Sequence, residues 1–318
     1  MKIEKDRRNK NSARSPGRKA ATEGNVSCVT SNNKNKVIRE NISINNNVTK
    51  LQVLHFNSRG FADNTRLYEF EKELGKLKWD IIGISETRRE GEKLIKRKNG
   101  NYFYYFGETK GYRGTGFYIR SNIMKKVLVV KGISERISVL KLNIQNKVNM
   151  TIIQIYAPTM EATDEEKENF YKKLEKTIQE EKEYYNVIMG DWNSKIGQGE
   201  EIRGIIGPYG LGEQNQNGEK MIEFAGSQNL KIANNFFKKH KKLKWTWMSP
   251  DSKTKNEIDH LLINDMRIVE NVVCLPSFKF PSDHRITRAT LKFEKRMRYK
   301  NFKRNLSQKK EGLSYQKI

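Results

Sequence analysis

Large apolar residues are scarce over the first fifty positions and then arrive in short bursts. Residues 1–50 are rich in Asn, Lys, Arg and Ser, a composition with too little to bury, so they are expected to form a disordered basic tail. The first burst, "KLQVLHFN", reads as a strand carrying Leu51, Val53, Leu54 and Phe56. Leu67, Phe70, Leu74 and Leu77 then recur at spacings of three and four, which predicts a helix. "DIIGISET" is a short, wholly apolar strand that ends in polar residues.

The same alternation runs to about residue 293. "NYFYYF", "GTGFYIR", "ISVLKLN", "MTIIQIYAP", "NVIMGDWN", "LKIANNF", "KWTWMS", "EIDHLLI", "NVVCL" and "RATLKF" read as strands. "DEEKENFYKKLEKTIQEEKEYY" and "NGEKMIEFAGSQN" read as helices. In the first, Phe170, Leu174 and Ile178 share one face, and Asp164 is the expected N-cap. About ten short strands with a few helices between them predict two sheets covered by helices. The domain is bounded at 51–293, with a second basic tail at 294–318.

Polar groups collect where the apolar runs end. Asn57 closes "VLHFN", Glu86 closes "IIGISE" and Tyr156 closes "TIIQIY". Asp191 and Asn193 follow "NVIMG", and Asp283 and His284 precede the last strand. Strand ends are where a rigid scaffold presents reactive side chains. Glu86, Asp191 and Asp283, with amide oxygens from Asn57 and Asn193, form a hard oxygen set suited to Mg²⁺, with Mn²⁺ as substitute. A histidine and a tyrosine hydroxyl can donate to phosphate oxygens, so the set matches phosphodiester hydrolysis. Of the four histidines, two follow an aspartate, in "IDHLL" and "SDHR". Buried charge at Asp259 is costly unless it is paired or at work.

Charge narrows the partner. The net charge is +25, and removing tails of 12 basic and 4 acidic residues (1–50) and of 9 and 2 (294–318) still leaves the centre at +10. That balance favours polyanions, nucleic acid before an anionic membrane surface. Cys28 and Cys274 lie far apart and suggest neither a disulfide framework nor a zinc site, as expected for a reducing, intracellular compartment. No run of 18 apolar residues predicts a membrane span, and the basic N-terminus lacks the apolar core of a secretory signal. "RSPGRKA" is compatible with a nuclear address.

Residues 51–293 resemble the endonuclease/exonuclease/phosphatase, or deoxyribonuclease-I-like, superfamily. The motifs that carry the resemblance are "HFNSRG", "GISETR", "IYAPT", "GDWNSKIG", "IDHLL" and "SDHR", in the family order. "GPYGLGEQNQNGEKMIEFAGSQNLKIANNFF" and "TWMSPD" narrow it to endonuclease domains of non-LTR (LINE-type) retrotransposons and to craniofacial development protein 2-like proteins. The resemblance implies an α/β four-layer sandwich, two mixed sheets packed face to face with helices outside. It implies a Mg²⁺-dependent DNA endonuclease acting on double-stranded DNA and leaving a 3′ hydroxyl. Glu86 would be the principal metal ligand with Asn57 beside it, in a metal set of Asn57, Glu86, Asp191, Asn193, Asp283 and His284. Asp191 would orient or deprotonate water, Asn193 would position the phosphate or the nucleophile, and Tyr156 and His284 would hold the scissile phosphate. Asp259 would hold His284 from behind. His260, on the opposite face of the strand, is expected to be structural.

One departure is Arg59, where apurinic endonucleases tend to carry an acidic residue two positions after the Asn; "YAPT" also lacks their following Asn. Both argue against abasic-site repair. Of Trp245 and Trp247, at least one is expected in the core, and Trp192 is expected to support packing. Two other readings stand beside the endonuclease: a phosphoesterase of the same fold acting on RNA or a phospholipid, and a silent nucleic-acid-binding remnant. No polymerase segment follows, so a fragment, a truncated copy or a domesticated derivative is expected, with any reverse transcriptase supplied in trans or lost.

The charge of the first tail generates a test. Deleting residues 1–50 should leave the domain folded by circular dichroism, lower its affinity for DNA and flatten the salt dependence of binding, because fewer phosphates are neutralised. A truncated protein that unfolds would place the boundary elsewhere.

Overall fold

Short apolar strands that alternate with amphipathic helices can bury both kinds of surface only in layers. The computed structural model describes residues 28–29, 50–61, 63–145, 148–199, 201–202 and 204–293. Its larger sheet has eight strands, in spatial order β1 (Cys28–Val29), β4 (Gly91–Lys96), β5 (Tyr102–Gly107), β6 (Thr115–Ile119), β3 (Ile81–Ser85), β2 (Lys50–Asn57), β16 (Thr287–Lys292) and β15 (Val269–Cys274). The second has six: β11 (Lys231–Ile232), β14 (Asp259–Ile263), β10 (Tyr185–Asp191), β9 (Val148–Tyr156), β8 (Ile137–Gln145) and β7 (Val127–Ser134). A separate ribbon pairs β12 (Trp247–Met248) with β13 (Lys255–Asn256). Both sheets are mixed: β2 and β3 run parallel in one, β9 and β10 in the other.

Three apolar clusters map onto the spaces between layers. The first fills the gap between the sheets, with Leu51, Val53, Ile81 and Phe117 from one facing Leu140, Ile152, Val187 and Leu261 from the other. The second packs α3 (Asp164–Glu180) and α4 (Gln216–Ser227) on the outer face of the smaller sheet, through Phe170, Leu174, Met221 and Phe224. The third seats Leu67, Phe70 and Leu74 of α1 (Asn64–Leu74) on the larger sheet. A fourth, one-turn helix, α2 (Ser121–Met124), follows β6. The architecture is the four-layer α/β sandwich.

Several local expectations change. The N-cap of α3 is Thr163, whose hydroxyl accepts from the Glu166 amide, and Asp164 is the first helical residue, where its charge still suits the helix dipole. β4 and β7 did not stand out in the sequence. "GEKLIK" is mostly polar and half-exposed beside the sheet edge, and "VLVVKGIS" forms the outer strand of its sheet without clean alternation. Cys28 and Val29 pair with Ile95 and Leu94, within a segment expected to carry no structure. The expectations for the rest of residues 1–49 and for 294–318 lie outside the described residues. Among the described residues no helix is long and apolar enough to cross a membrane.

The outer cluster under α1 offers a stability test. The Phe70 ring lies 4.9 Å from Phe61, 5.7 Å from Phe280 and 5.8 Å from both Phe56 and Phe278, fully buried. Phe70→Ala should cost about 3–5 kcal/mol in denaturant unfolding. A loss below about 1 kcal/mol would mean that this layer is not packed as described.

Candidate active site

The ends of the central strands converge on one cleft of ≈ 670 Å³. Asn57 ends β2, Tyr156 ends β9, Asp191 ends β10 and Asp259 begins β14. The parallel pairs β2–β3 and β9–β10 point the same ends at this place, so Glu86, just past β3, comes with them. Arg59, Glu86 and Asn193 have φ of 49°, 54° and 49°, a left-handed backbone uncommon outside glycine. Such conformations concentrate at functional sites. Here they bend the chain at strand ends and leave the side chains in the cleft wall.

The eight residues expected at the site lie together. The Asn57 amide donates to both Glu86 Oε1 and Asp191 Oδ2 at 2.9 Å. Its oxygen accepts from the Arg59 backbone N–H at 3.1 Å, which fixes the amide's orientation. Glu86 Oε2 takes Arg88 at 2.6 Å. Burial opposes ionisation of Glu86, but the Asn57 and Arg88 hydrogen bonds outweigh it and its pKa is lowered. The Asn193 backbone N–H donates to Asp191 Oδ1 at 3.0 Å, and its side chain to the Ala157 carbonyl at 3.0 Å. Asp283 Oδ2 accepts from Arg59 at 3.2 Å and from the Trp247 indole at 3.1 Å.

Behind this wall, Asp259 faces Asp191 directly across the antiparallel β10–β14 pair. Its Oδ2 lies 3.0 Å from His284 Nδ1 and its Oδ1 2.9 Å from His55 Nε2. His284 Nε2 sits 3.7 Å from Asp191 Oδ2. Burial alone would raise the pKa of Asp259, but the charge and hydrogen bond of His284, then those of His55, hold it well below the carboxylate range. Asp191, buried and beside that charge, is pushed up to about 6. Burial works against a charged His284, yet Asp259 and then Asp191 raise it to about 9, so it is cationic at neutral pH. The Tyr156 hydroxyl is pushed upward by burial and by the charges of Glu86 and Asp191, and stays protonated.

Several contributors were not singled out in the sequence. Arg136 carries Tyr156: it donates to the Tyr156 carbonyl at 2.9 Å, stacks 5.2 Å from its ring and is tied at 2.6 Å to Glu166. Ser282 donates to the Asn57 carbonyl at 2.9 Å and accepts from the His284 amide at 3.1 Å, so the "SDH" turn is pinned to β2. Neither Trp245 nor Trp247 enters the core as expected. Both are half-buried, Trp245 beneath Arg285 and Trp247 on the cleft wall. Trp192 is buried against Phe224 and donates to the His260 carbonyl at 3.2 Å. His260 points away from the cleft, with Nε2 2.9 Å from the Ser194 carbonyl.

The donor set fits a divalent cation. The carboxylates of Glu86, Asp191 and Asp283 could supply oxygen ligands, and Asp283 Oδ1 is buried without a hydrogen-bond partner among the described residues. An orphaned carboxylate oxygen calls for an explanation, and a hard cation supplies one. A second grouping, Asp191, Asp259 and His284, brings its ligand atoms within 4.8 Å of one another.

The chain belongs to the Endonuclease/Exonuclease/phosphatase family, whose profile matches residues 54–284. It is 31% identical over 221 residues to Craniofacial development protein 2 of Tragulus javanicus, covering 68% of this chain and 38% of that protein. The chain thus spans somewhat over a third of the length of this curated relative. Its fold is similar to that of a 3'-5' exonuclease from Neisseria meningitidis, with a TM-score of 0.58 at 16% identity over 76% of this chain and 100% of that one. It is also similar to the endonuclease domain of TRAS1, a telomere-specific non-LTR retrotransposon, with a TM-score of 0.52 at 12% identity over 77% and 100%.

His260 generates a test away from the cleft. Burial lowers its pKa to about 4, against about 6.5 in an unfolded chain. Between these values the unfolded state binds the extra proton, so stability should fall as pH drops from 6.5 towards 4. His260→Gln keeps a donor for Ser194 and cannot titrate. The stability gap between variant and wild type should therefore shift in the variant's favour across that window in urea titrations at stepped pH. A gap independent of pH would show that His260 does not titrate as a buried neutral imidazole.

Proposed function

We propose that the chain is a divalent-metal-dependent DNA endonuclease that nicks one strand and leaves a 3′ hydroxyl. The observation that carries this reading is the polarity of the cleft. Carboxylates, one of them with an unsatisfied oxygen, line it together with a cationic imidazole and a protonated tyrosine hydroxyl. Arg59, Arg88 and Lys195 on the rim suit a polyanionic backbone. The endonuclease domain of a telomere-specific retrotransposon among the fold neighbours is in keeping with DNA as substrate.

Glu86, Asp191 and Asp283, with Asn57 adjacent, would hold Mg²⁺ or Mn²⁺, and the bound ion would neutralise phosphate charge and help to ionise water. His284 and Tyr156 donate to the non-bridging oxygens as negative charge builds there. Asp191, whose Oδ1 is oriented by the Asn193 N–H, takes a proton from the attacking water. The water oxygen bonds to phosphorus, the P–O3′ bond breaks, and the 3′ oxygen takes up a proton from solvent and leaves as a hydroxyl. Asn193 is braced on the Ala157 carbonyl beside Asp191 and positions the phosphate.

Supercoiled plasmid incubated with protein and Mg²⁺ should become nicked circles whose ends prime a DNA polymerase. EDTA should stop the reaction. Glu86→Gln should slow it by at least about 10²-fold while DNA binding in a gel shift stays near wild type, because no basic residue of the rim is removed. Full activity in EDTA, or cleavage of an RNA substrate with the plasmid left intact, would overturn the reading.

A further inference from the structure

Five polar side chains run in an unbroken line from the cleft wall into the apolar space between the sheets. His284 Nδ1 lies 3.0 Å from Asp259 Oδ2, and Asp259 Oδ1 lies 2.9 Å from His55 Nε2. His55 Nδ1 lies 3.2 Å from Gln154 Nε2, and Gln154 Nε2 donates to Ser85 Oγ at 3.0 Å. The line joins β14 and β9 of one sheet to β2 and β3 of the other. Asp259 and His55 sit among Val53, Met189, Leu261 and Ala289. Polar groups in such surroundings are costly unless every one is satisfied.

The sequence makes room for the line at one place. Gly83 lies opposite His55 in the β2–β3 register, and a Cβ on it would come 1.9 Å from Gln154 Oε1 and 2.5 Å from Met189 Cε. Only a residue without a side chain lets the Gln154 carboxamide reach across the sheets to the His55 ring. Ser85 Oγ, which accepts from Gln154, donates in turn to the Ile155 carbonyl at 2.9 Å, and this sets the Gln154 orientation.

Asp259 needs this support. Its backbone is fixed through Thr246, which accepts from its N–H at 3.1 Å, and Asn234, which donates to its carbonyl at 3.0 Å. Among the described residues, its carboxylate is gripped by the two imidazoles alone. A void of ≈ 10 Å³ beside His55 is at the lower limit for one water, so solvent offers no ready replacement for a lost donor. We propose that His55 is a positioning residue of the cleft: its Nε2–H holds Asp259 Oδ1, Gln154 holds its ring, and the remaining carboxylate oxygen is thereby presented to His284 in one orientation. The inference rests on the reading of His284 as the phosphate-binding imidazole.

The test compares His55→Leu, which fills the space without a donor, with His55→Gln, which keeps an N–H near Nε2. One readout is the low-field proton resonance of His284 Nδ1–H in ¹⁵N-edited spectra, which needs no nuclease activity. The other is the split of nicking kinetics into kcat and KM. H55L should lose or shift the resonance upfield and lower kcat by about 10- to 100-fold, as loss of an outer-shell partner does, with KM changed less than about twofold. H55Q should recover most of both. Gln154→Leu, which leaves His55 in place and removes its anchor, should broaden the same resonance and decides the matter if H55L does not fold. An unshifted resonance in H55L, one that stays sharp in Q154L, or an H55Q variant as impaired as H55L would overturn the inference. A wild-type protein that shows the resonance but does not nick DNA would sink the proposed function and leave the His55 inference to the spectra.

Discussion

Two carboxylates, Asp191 and Asp259, stand directly opposite each other in one antiparallel strand pair, both almost completely buried. Like charges across a ladder repel, and a low-dielectric interior strengthens the repulsion. The pairing of β10 with β14 therefore depends on positive and donor groups brought from elsewhere. Asn57 and His55 come from the larger sheet, and His284 comes from the turn before β16. The contacts that hold the two sheets in register are thus the contacts that set the proton affinities in the cleft. Fold and site are one electrostatic problem here.

Much of this was legible in the chain because strand ends carry their own signal. Asn57, Glu86, Tyr156, Asp191 and Asn193 each follow an apolar run, and the layers follow from the alternation of strands and helices. His55 was readable in principle. Val53, His55 and Asn57 share one face of β2 by alternation, so a histidine on the inward face two residues before a site residue was already a polar intruder. Arg136 and Ser282 carry no such mark, because each acts through the backbone of a distant residue. The hidden strands, β4 and β7, were obscured because strands at or beside an edge bury little.

The arginines of the cleft show how loosely some of its charges are held. Arg88 with Glu86 and Arg59 with Asp283 are ion pairs in which the arginine is 36% and 51% exposed. Solvent screens such pairs, and their net worth is small, about 0–1 kcal/mol. The buried Asp259–His284 pair is of another kind, with both partners out of water. The cleft therefore combines a stiff interior with a rim whose ion pairs can open at little cost.

The pairing of β2 with β16 has a consequence for the protein's synthesis. The first long strand of the domain lies in the middle of its sheet, between β3 and β16, and its partner on one side is the last strand among the described residues. A nascent chain on the ribosome must keep that edge of β2 open until Thr287–Lys292 has emerged. Over the same interval His284 is missing, so the carboxylates at the ends of β10 and β14 face each other without their cation. The cleft is thus completed only once β16 has left the ribosome, long after the strand with which it pairs.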